Sequence, residues 1–154
     1  VDGTYMDKYS QQLAPPIAEL FAARAAGTIN PATPLTDPGD LLKRNGKPKW
    51  KWSGNATWRG GPFQVGASVI YTGSVLDTDF LSTAGEPWRV QPLTTVNLYG
   101  QYRFEGDGWT NDTRIRVGAR NLFDKDPPLS SGGFIGSLYN PYARYWYMSV
   151  SKSF

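Results

Sequence analysis

Tyr142-Ala143-Arg144-Tyr145-Trp146-Tyr147-Met148-Ser149-Val150-Ser151-Lys152-Ser153-Phe154 carries an alternation from which the fold class follows. From Trp146 the even positions are Trp, Met, Val, Lys and Phe, and the odd positions Tyr147, Ser149, Ser151 and Ser153 each carry a hydroxyl. Successive side chains of a strand point to opposite faces, so a period of two makes this a strand with one apolar and one polar face. It runs for about a dozen residues, against ~5–6 for an ordinary soluble strand. A strand tilted across a bilayer needs ~9–11.

The same alternation recurs upstream. In 113–123, Ile115, Val117 and Ala119 oppose Arg114, Arg116, Gly118 and Arg120. In 93–104, Val96, Leu98, Gly100, Tyr102 and Phe104 oppose Thr95, Asn97, Tyr99, Gln101 and Arg103. Residues 63–72 and 49–59 form a hairpin around Gly60-Gly61-Pro62, with Trp50, Trp52, Gly54, Ala56 and Trp58 on one face. Residues 1–13 alternate more loosely through Val1, Tyr5, Tyr9 and Leu13, and Pro15-Pro16 ends them. The spacing predicts an all-β, antiparallel up-and-down meander of about six long strands.

Connections alternate long and short: 14–46, 73–91 and 124–141 are long, and the other two are tight turns. The first long loop carries a predicted short helix over 16–27, with Pro in its first turn and Gly27 after its end. Ile17, Leu20, Phe21 and Arg24 form its stripe. Residues 37–46 read as a further single turn capped by Asp37.

Composition narrows the function classes. The chain has no Cys and no His, which removes Cys/His zinc sites, thiol redox chemistry and His acid–base catalysis. Hydrophobic residues make up 40%, yet the mean hydropathy is −0.45, so apolar residues are interleaved rather than gathered into runs. A net charge of +3 is too small to argue for nucleic acid. Lys47, Lys49 and Lys51 interleave with Trp50 and Trp52 at opposite parity, whereas single-strand binding needs both on one surface. No nucleic-acid partner, no cofactor and no enzymatic activity is expected. Asp77 with Asp79, and Asp124 with Asp126, are spaced only as partial Ca²⁺ sites.

Alternation alone leaves two readings open. One is a transmembrane barrel, with short turns on one side, long loops on the other, a polar lumen and aromatic residues near the strand ends. The other is a soluble β-barrel or sandwich that binds a small apolar ligand.

The run Arg114-Ile115-Arg116-Val117-Gly118-Ala119-Arg120-Asn121-Leu122-Phe123-Asp124-Lys125-Asp126-Pro127-Pro128 resembles the penultimate strand of TonB-dependent outer-membrane receptors. Asn121, Leu122, Phe123, Asp124 and Pro127 are its specific part. Tyr139-Asn140-Pro141-Tyr142 and the terminal Phe154 are also similar to that family's last loop and strand. The resemblance implies that residues 1–154 are the C-terminal segment of a 22-stranded transmembrane β-barrel, with the plug and earlier strands absent. It implies part of an active transporter for a siderophore, cobalamin or carbohydrate, in the outer membrane of a Gram-negative bacterium. Its implied partners are outer-membrane lipid, the small-molecule nutrient and the TonB complex, the last through the missing N-terminal region. The closing strand resembles the signal read by the barrel-assembly machinery, carried by Trp146, Met148, Val150 and Phe154; Lys152 and Ser149 depart from it. Arg103, Arg114, Arg116 and Arg120 become possible lumenal contacts to plug or substrate.

Overall fold

The structure, a computed structural model, describes residues 1–12, 14–30, 39–81 and 86–153. Six strands form one sheet: β1 (Asp2–Tyr5), β2 (Trp50–Gly60), β3 (Phe63–Thr72), β4 (Leu93–Arg103), β5 (Thr113–Arg120) and β6 (Tyr145–Lys152). All neighbours are antiparallel and follow chain order, the up-and-down meander that the alternation predicts. The sheet is open: β1 and β6 lie at opposite edges and do not pair among the described residues.

The register keeps one parity on one face throughout. Trp58, Val65, Gly100, Val117 and Met148 form one cross-strand row, and Ala56, Ala67, Leu98, Ala119 and Trp146 form the next. The β2–β3 hairpin closes through Gly61 and Pro62, with Gly61 at φ 54°. Pro62 cannot take a positive φ, so only the first turn position is left-handed.

The apolar face is uncovered. Trp58 is 62% exposed, Trp146 68% and Met148 70%. Most of its aromatic residues gather at two levels, with Trp58 and Trp146 in the rows between them. Tyr5 with Trp50 (ring centroids 4.5 Å apart) and Trp52 with Tyr71 (5.8 Å) lie toward the long loops. Phe63, Tyr102 and Phe104 lie toward the short turns, with both ring pairs at 4.9 Å. Trp50 and Trp58 stand eight residues apart on β2, or about 26 Å along a strand at ~3.3 Å per residue. Lys152, the basic residue on this face, reaches past its end: its ammonium donates to the Trp109 carbonyl and lies 5.4 Å from the Trp109 ring centroid.

The hydrophobic core lies among the long loops rather than under the sheet. Val75, Val90 and Tyr139 are buried together, packed by Leu93, Ile135 and Leu138. The loops are structured by short ribbons: Val75–Leu81 pairs with Pro87–Val90, Leu129–Ser130 with Gly133–Phe134, and Ser10–Gln11 with Gly39–Asp40. Polar bonds then lock one loop to the next. Asn45 donates to Thr78 Oγ1 (2.7 Å) while its Oδ1 accepts from the Thr78 amide (3.0 Å). The Trp88 indole donates to the Leu129 carbonyl at 3.1 Å. Phe80 packs edge-on against Trp88.

Several sequence expectations change. The first strand ends at Tyr5, not 13; the Met6 amide makes one last bond to the Lys49 carbonyl. Its predicted extension, Ser10–Gln11, belongs to a loop ribbon, and Leu13 lies outside the described residues. The fifth and sixth strands are Thr113–Arg120 and Tyr145–Lys152, because Asn121 turns at φ 50° and Tyr142–Arg144 stay off the ladder. No helical turn forms over 39–46: Gly39–Asp40 is strand, the Leu42 amide donates to Asp40 Oδ1, and Lys43, Asn45 and Gly46 have positive φ. Asp37, the expected cap, lies outside the described residues.

The helix α1 (Pro15–Ala25) forms as predicted. Its C-terminus closes on Gly27 (φ 76°), with Thr28 N–H donating to the Ala23 carbonyl and Gly27 N–H to that of Arg24. Those two bonds satisfy carbonyls that the last turn leaves open. Its apolar stripe is only half-covered; no residue of the helix is buried, and Arg24 lies over the Phe21 ring.

Candidate functional site

The parity that exposes the apolar face places Lys51, Arg59, Arg103, Arg114, Arg116 and Arg120 on the other. From β2 to β6 this face carries no Asp or Glu among the described residues; Asp2 on β1 is its only acid. It is therefore a strongly cationic wall.

The four arginines singled out from the sequence share the face but do not form one patch. Arg103 and Arg114 are cross-strand partners at the short-turn end. Arg103 forms an ion pair with Asp112, which relieves repulsion between the two. Arg116 sits mid-strand, where its Nε and Nη2 donate to Gln101 Oε1 at 3.1 and 2.8 Å. Its guanidinium stands 4.3 Å from the Tyr99 ring centroid. Arg120 lies at the long-loop end, 5.8 Å from the Tyr145 ring and 6.0 Å from that of Tyr147. Stacking a guanidinium on an aromatic ring fixes its direction without neutralising it.

The tyrosines on this face are residues that sequence reasoning missed. Tyr99 lies across Gly66, and Tyr147 across Gly118, each ring occupying the space where a Cβ would stand. Their parity beside the arginines was a signal; the glycines they cover follow only from the register.

Asn121 is buried and ties three segments together. Its backbone amide donates to Asn97 Oδ1 (3.0 Å), and its side-chain oxygen accepts from the Lys125 amide (2.9 Å). Its Nδ2 donates to the Lys125 carbonyl (2.9 Å) and that of Tyr142 (3.3 Å). Asp124, at φ 54°, accepts from the Arg144 amide at 2.7 Å. Asn and Asp are the non-glycine residues that best tolerate this left-handed backbone. The run 121–128 thus clips β5 to the approach of β6. Leu122 and Pro127 are half-buried, and Phe123 is exposed.

Beneath the long loops a cleft of about 450 Å³ opens on the polar face. Lys51, Asn97, Arg120, Asn140, Tyr142 and Tyr145 are among its walls.

The acidic pairs serve the loops. Asp77 is buried, and its carboxylate accepts from the Asp79 amide (3.0 Å) and the Ser131 amide (2.6 Å). Burial alone would raise its pKa, but the bonds from Ser131 and Asp79 outweigh it and hold the group below its ordinary value. Burial pushes the Tyr139 phenol up. Among the described residues no three His, Cys, Asp or Glu side chains gather as a metal site.

Of the closing strand, Trp146, Met148 and Val150 stand exposed in a line on the edge strand β6; Phe154 lies outside the described residues. Comparison of the chain with protein-family models, with curated proteins and with solved structures finds no match.

Proposed function

We propose that this chain forms a closing segment of a TonB-dependent receptor barrel in the Gram-negative outer membrane. The carrying observation is the apolar face. Six adjacent strands present it without any covering layer, bordered above and below by aromatic clusters. A soluble sandwich or barrel buries such a face against a second sheet or inside itself. A membrane barrel turns it to lipid, with aromatic residues at both interfaces of an apolar band ~25 Å tall.

The opposite face then lines the lumen, the short turns point to the periplasm and the interlocked long loops to the exterior. The open edges of β1 and β6 accept neighbouring strands of a larger barrel, and Trp146, Met148 and Val150 offer the assembly machinery a lipid-facing stripe. Asn121, Leu122, Phe123, Asp124 and Pro127 supply the resemblance to this family. The function is a share in uptake of a scarce nutrient, of siderophore, cobalamin or carbohydrate class, energised through TonB. It is transport rather than catalysis.

The test is depth-resolved fluorescence. Variants retaining only Trp58, Trp146 or Trp88 are refolded into bilayers containing brominated lipid. Trp58 and Trp146 should be quenched strongly and Trp88, in the loops, weakly. A water-soluble, monodisperse chain whose Trp58 is quenched by iodide and not by lipid would overturn the proposal.

A further inference from the structure

We infer that the cleft at the long-loop end of the polar face binds a small polyanion carrying carboxylate or phosphate groups. Its volume of about 450 Å³ falls within the ~300–1,000 Å³ typical of ligand sites. Lys51 and Arg120 both line it from the sheet face. They belong to β2 and β5, three strand spacings apart, or about 14 Å across the sheet at ~4.8 Å each. Neither has a carboxylate within ion-pair distance among the described residues.

The pattern of spent and unspent groups sharpens the ligand class. Asn97 is consumed by the fold, donating to Ser68 and accepting from the Asn121 amide. Asn140 accepts from the Tyr142 amide through its oxygen, which leaves its NH₂ for a guest. The Tyr142 and Tyr145 rings also line the cleft. Arg120, stacked near Tyr145 and Tyr147, is aimed but not neutralised. Two cations at opposite sides of one cleft, which Asn140, Tyr142 and Tyr145 also line and whose lining holds no acid, suit a solute with more than one anionic group. A neutral solute would leave both charges unanswered; a single carboxylate would answer one.

The cleft has a built-in comparison at the other end of the wall. Arg114 carries the same charge on the same strand and lies outside the cleft. A general attraction of anions to the cationic face would use Arg114 as readily as Arg120. A site would not.

The experiment is calorimetric titration of the full chain refolded in zwitterionic micelles, with citrate, pyrophosphate and glucose as probes. Citrate or pyrophosphate should bind saturably and glucose should not; the tighter anion distinguishes a carboxylate from a phosphate source. Arg120→Gln and Lys51→Gln should each weaken binding at least about tenfold, the loss of one charge-assisted hydrogen bond. Arg120→Lys should retain part of it, and Arg114→Gln all of it, each variant checked by near-UV circular dichroism. Failure of both anions to saturate, equal binding of glucose, or an Arg114→Gln loss matching Arg120→Gln would overturn the proposal. It rests on the barrel reading for a water-filled lumen, and the two fail separately. Lipid-quenched Trp58 with no anion binding removes this inference alone, whereas iodide-quenched Trp58 removes the barrel.

Discussion

The Tyr99 ring lies so close over Gly66 that a Cβ added there would fall 2.3 Å from it. The two residues are direct cross-strand partners on β3 and β4. Tyr99 cannot easily give way: its hydroxyl accepts from Gln64 Nε2 at 2.7 Å, and Arg116 stacks on its ring. Gly66→Ala should therefore cost about 1–3 kcal/mol, the range for overpacking, read from unfolding midpoints in micelles. Gly118→Ala meets Tyr147 in the same way, at 2.6 Å. Among the described residues Tyr147 has no hydrogen bond to hold it and meets Arg120 only at 6.0 Å, so its ring can swing aside and the loss should be smaller. Equal losses at the two positions would contradict the view that the Tyr99 network is the stiffer.

Asn121→Ala should destabilise the 121–144 connection by about 2–5 kcal/mol. Removing the amide leaves the Lys125 N–H and two carbonyls without partners, at ~1–3 kcal/mol for buried groups. Alanine must also hold the left-handed φ of 50°, costing roughly 1–2 kcal/mol more. Limited proteolysis should cut between 125 and 144 faster than in the parent. Asn121→Gly relieves the backbone cost and not the hydrogen-bond cost, so it should fall between the two. A glycine variant as stable as the parent would mean that the side-chain bonds contribute little.

Asp77 should make the loop cap sensitive to acid. Its folded pKa lies below the ordinary value of 3.8, so its contribution is complete above about that pH. It is lost as pH falls below 3.8 toward the folded-state value, because protonation removes an acceptor for Ser131 or Asp79. Asp77→Asn should weaken the cap at neutral pH by about 1–3 kcal/mol, since its NH₂ faces an N–H donor. It should also flatten the acid response. Hydrogen exchange of the Trp88 indole, bonded across the loops to Leu129, reports the cap locally. An unchanged acid profile in the variant would assign the response to other groups.

The faces of β2 to β6 are legible in the sequence because parity needs no knowledge of partners. Boundaries are not. Val1, Tyr5 and Tyr9 keep the alternation going after the backbone has left the sheet, since β1 ends where its partner β2 begins, at Trp50. Pro48, just before, has no N–H to extend the ladder. The loop ribbons are short, and Val75, Val90 and Tyr139 hold them through packing between distant segments. Local pattern carries no trace of that.

The site divides in the same way. That the arginines share a wall follows from parity; that Arg116 stacks on Tyr99 and Tyr99 covers Gly66 depends on register. The Gly61–Pro62 turn fixes the register of β2 against β3. The long connection from 73 to 92 leaves β3 against β4 unspecified until the loops pack. Asn121 and Asp124 stand out in the sequence, but that they clip the turn from β5 to the approach of β6 depends on partners as distant as Tyr142 and Arg144.

Val117 and Ser149 offer the sharpest separation of the two faces, because they sit one row apart on paired strands with opposite parity. Val117 belongs to the row of Trp58, Val65 and Met148, between the two aromatic levels. In a bilayer, Val117→Arg places a guanidinium in the hydrocarbon two residues inside the Phe63–Tyr102 level, at a cost of about 1–3 kcal/mol, below that at the midplane. Ser149→Arg adds the same charge to the polar wall, opposite Arg116. There it meets water and like-charge repulsion, and should cost under about 1 kcal/mol. Unfolding by denaturant in bilayers of fixed thickness measures both, and the order should vanish in a detergent that solvates the apolar face loosely. If Ser149→Arg proves the costlier in lipid, the two faces have been assigned the wrong way round, and the cationic wall does not line a lumen.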